Sequence, residues 1–160
     1  HGLRELDARS NRLGCAGAVA LLALPSLRTL GLFDNPAVGR SADEGATLAG
    51  GLHGASAELQ SLDLGACGLD DARTIDTIGV ALRDGALPEL ACLELFGNGT
   101  SGGEAEGAVW REALTRLREA RVGLDIAWKG PTDAENGHSH EDPSPGGLDS
   151  DDDDAPPDLA

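Results

Sequence analysis

Residues 90–98 read LACLELFGN, and this stretch shows the pattern that organises most of the chain. Leucine stands at its first, fourth and sixth positions, and asparagine stands at its ninth. Apolar residues that alternate with polar ones predict a short β-strand with the leucine side chains on one face. The asparagine after the strand is suited to a turn, because its side chain can bond the backbone groups left open there. The stretch therefore predicts a strand followed by a sharp turn.

The same pattern recurs along the chain. Residues 3–11, 27–35 and 59–67 read LRELDARSN, LRTLGLFDN and LQSLDLGAC, with leucine at the first and fourth positions of each. A fifth copy, RVGLDIAW at residues 121–128, aligns through Leu124 and Ile126. Several copies that share several positions indicate one repeated structural unit.

Each strand pattern is followed by a helical pattern. Apolar or small residues occur at offsets of zero, three and seven, which places them on one helix face. The sets are Gly17, Ala20 and Leu24; Gly45, Leu48 and Leu52; Ile75, Ile78 and Leu82; and Gly107, Trp110 and Leu114. Ser101 and Glu104 have the spacing of a capping box before the last helix. Each unit is thus predicted to be a strand, a loop, a helix and a return loop.

Units of this kind bury their apolar faces only by stacking. Stacking places a parallel sheet on the inside of an arc and the helices outside it. Thin layers of Leu and Ala between units explain why the chain has two Phe, two Trp and no Tyr. The predicted architecture is an α/β solenoid over residues 1–130, with four repeats and a terminal partial repeat.

The pattern LxxLxLxx(N/C) followed by an amphipathic helix resembles the leucine-rich repeat, and the long unit resembles its ribonuclease-inhibitor-like subclass. The resemblance covers residues 3–128. It implies a curved parallel sheet inside and helices outside, with Cys67 as the buried cysteine variant of the ninth position. It implies little about function, because one fold serves many partners.

The net charge of −16 lies mostly at one end of the chain. Residues 131–160 contain 10 acidic residues, no Lys or Arg, and five of the eight prolines. This composition predicts a disordered acidic tail. An acidic chain lacks the basic footprint that nucleic acids and anionic membranes require, so we expect neither as a partner. A basic protein partner is compatible with the charge.

The sequence contains no pattern that indicates catalysis. Its three cysteines are an odd number without CxxC spacing, which argues against disulfides and zinc and favours an intracellular, cytoplasmic location. His138 and His140 stand in the acidic tail without a fixed geometry for a metal. We therefore expect no cofactor, no metal and no catalytic residue, and a chain that is monomeric.

Candidate binding residues lie between and just after the strand leucines. The fifth position holds Asp7, Gly31, Asp63, Glu94 and Asp125, and the third holds Glu5, Thr29, Ser61, Cys92 and Gly123. The seventh position holds Arg9, Phe33 and Phe96. Exposed aromatic residues beside charges are typical interface anchors. One interpretation is an acidic concave strip that binds a partner; the other is a solvated sheet face with both phenylalanines packed on neighbouring units. Trp110 is expected to pack in the core and Trp128 to cover the end of the array.

Two functions follow from this pattern. The first is a non-catalytic protein–protein interaction scaffold that binds its partner on the concave face through Asp7, Arg9, Phe33, Asp63, Glu94, Phe96 and Asp125. The second is a C-terminal fragment of a GTPase-activating protein, because repeats of this subclass followed by an acidic tail are similar to the Ran GTPase-activating proteins. That resemblance implies a catalytic arginine, and no arginine here stands in a matching motif.

Overall fold

The computed structural model describes residues 2–100 and 103–129. The tail at 131–160 and its predicted disorder lie outside this range. The described part contains five strands and four helices, which alternate along the chain. The strands are β1 (Glu5–Asp7), β2 (Thr29–Gly31), β3 (Ser61–Asp63), β4 (Cys92–Glu94) and β5 (Asp125–Ala127). The helices are α1 (Cys15–Leu22), α2 (Ala42–Gly51), α3 (Ala72–Arg83) and α4 (Glu104–Ala120), and one 3₁₀ turn (Leu52–Gly54) follows α2.

The five strands form one parallel sheet whose order is the order of the chain. The fourth-position residues lie side by side in one row: Leu6, Leu30, Leu62, Leu93 and Ile126. Four of the five are buried, and Leu6, on the edge strand β1, is half-buried. The first-position and sixth-position leucines of the middle three units are also buried in the same core. The predicted mixed α/β class with a parallel sheet is therefore confirmed.

Helices α2, α3 and α4 turn their predicted faces to the core. Gly45, Ile75 and Trp110 are buried, as are the residues three positions after Gly45 and Ile75. Glycine at 45 has a packing reason, because a Cβ there would overlap the Thr74 side chain of α3. A small residue at this point lets the two helices approach closely.

The predicted face of α1 was wrong by two residues. Cys15, Ala18 and Leu22 are the buried residues of this helix, whereas Ala20 is exposed. The helix reads CAGAVALL and is apolar on all sides, so its spacing alone does not select a face. Contact with the next unit selects it, since the Cys15 thiol lies 3.2 Å from the Glu44 carbonyl oxygen.

The predicted capping box before α4 depends on Ser101, which lies outside the described residues, and Glu104 is the first residue of the helix and not the third. The residue that precedes α4 is Gly103, and no side chain caps the helix there. A capping box occurs instead at α2, where the Ser41 hydroxyl accepts from the Glu44 N–H and the Glu44 carboxylate accepts from the Ser41 N–H. This pair has the same Ser-x-x-Glu spacing, so the sequence did contain the signal.

The alignment of the fifth copy was wrong by two residues as well. In the sheet, Ile126 pairs with Leu93, and Asp125 pairs with Cys92. Asp125 therefore belongs to the third-position row, and Ala127 lies beside Glu94. The sequence did not distinguish the two alignments, because a pattern of period two fits equally well after a shift of two residues. The hydrogen bond from the Asp125 N–H to the Ala91 carbonyl shows the actual register.

The first four strands are each followed by the same turn. The eighth position has positive φ in four units: 51° at Ser10, 58° at Asp34, 48° at Ala66 and 71° at Gly97. The N–H groups of Ser10, Asp34 and Ala66 each donate to the seventh-position carbonyl of the next unit, at 2.7 to 3.0 Å. The sheet hydrogen bonding thus continues past the strands and aligns the seventh-position residues.

Buried asparagines join these turns to the preceding unit. The Asn98 Oδ1 atom accepts from the N–H groups of Cys67 and Leu69, both at 3.0 Å. Its Nδ2 group donates to the carbonyls of Leu64 and Leu95. Asn35 joins the first unit in a similar way, since its Oδ1 atom accepts from the Leu13 N–H and its Nδ2 group donates to the Ala8 carbonyl. The turns are therefore held by side chains that have almost no contact with solvent.

Cys67 replaces asparagine in the third unit and is fully buried, as predicted. Its thiol lies 3.3 Å from the Leu32 carbonyl oxygen, to which it donates. Burial raises the pKa of the Cys67 thiol to about 12. The residue therefore stays a neutral thiol in the folded protein.

Trp110 of α4 and Trp128, which directly follows β5, pack against each other. Trp110 is buried, and its ring stacks on that of Trp128 with centroids 5.6 Å apart. The indole N–H of Trp128 donates to the Asn98 carbonyl, and that of Trp110 donates to the Asp70 carbonyl. The predicted core position of Trp110 is confirmed, and Trp128 covers it.

Candidate interaction surface on the sheet face

The face of the sheet that points away from the helices contains a shallow hollow of about 470 Å³. Acidic residues, one arginine and small side chains line it: Glu5, Asp7, Arg9, Thr29, Gly31, Ser61, Asp63 and Glu94. These are third-position, fifth-position and seventh-position residues, so the strand alternation itself directs them to this face. Small side chains at Thr29, Gly31 and Ser61 leave the hollow open in its middle.

The first unit contains its own ion pair. The Arg9 guanidinium donates to both carboxylate oxygens of Asp7, at 2.9 Å from Nε and 2.7 Å from Nη2. These hydrogen bonds lower the pKa of Asp7 to about 2. The Arg9 stem lies over Gly31, where a Cβ would be 3.3 Å from the Arg9 Cγ atom. Glycine in β2 therefore makes room for the arginine to lie along the sheet.

Asp63 and Glu94 lie side by side in the middle of the sheet without such a partner. Across residues 2–100 and 103–129, no cationic group lies within 4.0 Å of either carboxylate. The Asp63 Oδ1 atom accepts from the Gly65 N–H at 2.9 Å, which holds this carboxylate in place. Burial and the charges of Glu94, Asp125 and Asp63 raise the pKa of the nearby Cys92 thiol. The face is therefore electronegative at its centre.

Phe33 and Phe96 lie at the carboxyl end of the strands, on either side of Gly65. Their exposed fractions are 39% and 40%, so neither is part of the core. A Cβ on Gly65 would lie 2.6 Å from Phe33 Cδ2 and 3.1 Å from Asp63 Oδ1. The Phe33 ring and the Asp63 carboxylate therefore each approach the space over the glycine. Phe33 therefore packs on Gly65 of the next unit and still exposes part of its ring. That the strip binds a partner stays a prediction.

The structure brings most of the predicted binding residues together. Asp7, Arg9, Asp63 and Glu94 line the same hollow, and Phe33 and Asp63 both approach Gly65. Asp125 lies outside the hollow, beside Cys92, because of its corrected register. The packing role of Gly65 was not predicted from the sequence. Its signal was the missing side chain at a position where the other units have Arg or Phe.

Other kinds of site find no support in the part of the chain that the structure describes. No three His, Cys, Asp or Glu side chains are grouped there in a way that would hold a metal ion. None of its helices has both the length and the apolar composition to cross a bilayer. Comparison with protein-family models, with curated proteins and with solved structures finds no match to this chain.

Proposed function

We propose that the chain is a leucine-rich repeat solenoid of the ribonuclease-inhibitor-like subclass that binds a protein partner on its sheet face. The parallel strands in chain order, the rows of leucine and the repeated turn support this assignment. The observation that carries the function is the hollow with Asp63 and Glu94 at its centre, two carboxylates that form no ion pair within the described residues. A basic segment of a partner protein complements that surface.

The scaffold favours binding because its groups are already ordered. Strand backbone and buried asparagines hold the surface, so little conformational entropy is lost when the partner binds. Neighbouring carboxylates repel each other in the free protein, and a cation placed between them removes that repulsion. The same field speeds the encounter with a basic partner and makes binding depend on salt.

Site-specific cross-linking tests this proposal. A photo-reactive residue at Thr29, inside the hollow, is expected to capture a partner in low salt and much less of it in high salt. The same residue at Val80, on α3 and 47% exposed, serves as the control position. Replacing Asp63 with Asn and Glu94 with Gln keeps the shapes and removes both charges. Unchanged capture of the same partner by this double variant would show that the carboxylates do not bind it.

A further inference from the structure

We propose that the surface formed by Phe33, Gly65, Phe96 and Asp63 binds an arginine side chain of the partner. This inference rests on the proposed function, since it names the group that the acidic sheet face recognises. The partner is therefore a protein segment that presents arginine, with its guanidinium stacked on the Phe33 ring that covers Gly65 and next to the Asp63 carboxylate.

Arg9 shows how the sheet face holds a guanidinium. Its stem lies over a glycine of the next strand, and its planar end bonds both oxygens of a fifth-position carboxylate. Asp63 is the fifth-position carboxylate two strands further on, and Gly65 is the glycine beside it. In the described part of the chain, no cationic side chain forms an ion pair there. The second position thus has the carboxylate and, within the described residues, no arginine, and the Phe33 ring covers its glycine where the Arg9 stem covers Gly31.

The aromatic rings are what distinguish this position from the first. Successive units are about 4.8 Å apart along a sheet, so Phe33 and Phe96 flank Gly65 at about 10 Å from each other. A planar guanidinium stacks on an aromatic ring while its edge bonds a carboxylate. Asp63 is already oriented for this, because its Oδ1 atom is held by the Gly65 N–H.

Arginine suits this surface better than lysine. A lysine ammonium is a compact and strongly hydrated charge, and it satisfies the carboxylates without lying flat on a ring. Two neighbouring acidic groups, Asp63 and Glu94, attract either cation. If the surface binds arginine more tightly than lysine, the difference in affinity reports the contribution of the aromatic rings. If it binds both with equal affinity, only the charge contributes.

Titration of the ¹⁵N-labelled chain with two matched peptides tests the inference. One is a short glycine–serine peptide with two arginines, and the other has lysines at the same positions. We expect the arginine peptide to shift the amide signals of Asp34, Gly65 and Ala66 with an affinity about fivefold higher than the lysine peptide. Phe33→Leu, which keeps an apolar side chain over Gly65, is expected to abolish that preference. Val80→Leu on α3 is the matched control and leaves the preference unchanged.

Two results would overturn the inference. If both peptides shift these amides with equal affinity, the acidic face binds basic groups and the arginine preference is wrong, while the proposed function stands. If neither peptide shifts them, the arginine site is absent, and the cross-linking experiment at Thr29 decides separately whether the sheet face binds a partner. Gly65→Ala gives a second readout, since its Cβ would displace the Phe33 ring and lower the affinity of the arginine peptide alone.

Discussion

Replacing Asn98 with Ala is expected to destabilise the protein more than any other single change in the turns. The side chain has no exposed surface and joins the fourth unit to the third. Its Oδ1 atom accepts from two buried N–H groups, those of Cys67 and Leu69, and its Nδ2 group donates to two carbonyls. Alanine leaves all four backbone groups without these partners.

The expected loss follows from the number of orphaned groups. A buried donor or acceptor without a partner costs about 1–3 kcal/mol, and donors are the harder group to leave unpaired. The two N–H groups alone therefore give a loss of about 4 kcal/mol in the free energy of unfolding. Because a domain is typically stable by about 5–15 kcal/mol, this change removes a large share of the total.

Urea unfolding measures the loss, and the chain supplies its own control. Asn11 stands at the same repeat position but is exposed, and its Nδ2 group donates only to carbonyls of its own turn. We expect Asn11→Ala to cost less than about 1 kcal/mol, with the same dependence on urea concentration. A cost for Asn98→Ala no greater than that of Asn11→Ala would refute the argument that buried asparagines hold the units together.

Four further results are expected. The Asp7 carboxylate titrates with a pKa of about 2, and Arg9→Ala returns it towards 3.8 in an NMR titration. Since folding lowers this pKa, the ion pair stabilises the protein fully above 3.8 and is lost as the pH falls through about 2. Cys67 resists alkylation until the protein unfolds, because burial raises its thiol pKa to about 12. Ala66→Gly stabilises the protein by about 1 kcal/mol in urea unfolding, because Ala66 has a φ of 48°. Trp128→Ala costs about 2 kcal/mol and changes the fluorescence of the remaining tryptophan, since a stacked ring and an indole hydrogen bond are lost.

Each of these has a result that contradicts it. An unchanged Asp7 titration in Arg9→Ala would mean that the ion pair does not cause the low pKa. Alkylation of Cys67 at the rate of an exposed thiol would mean that the third turn opens in the native state. A loss of stability in Ala66→Gly would show that the positive φ carries no strain. Unaltered fluorescence in Trp128→Ala would show that the two rings do not stack.

Much of the sheet was predictable because its signal is repeated. The same leucine positions recur in several copies, and each copy is an independent observation of the unit. An ambiguous alignment of one copy is therefore corrected by the others. The prediction failed where that support was missing. Helix α1 is apolar on all sides, and β5 is the last of the described strands, where the pattern of the copy fits two alignments that differ by two residues.

The sequence by itself determined the positions of the first four strands, the mixed α/β class and the side chains that face away from the helices. These follow from local alternation, which needs no knowledge of the rest of the chain. The tertiary structure alone decided which groups meet: the Arg9 stem with Gly31, Asn98 with the backbone of the previous unit, and the Phe33 ring with Gly65. Such contacts depend on the register between strands that lie 24 or more residues apart in the chain. Register is set by packing of the whole core, and local pattern does not contain it.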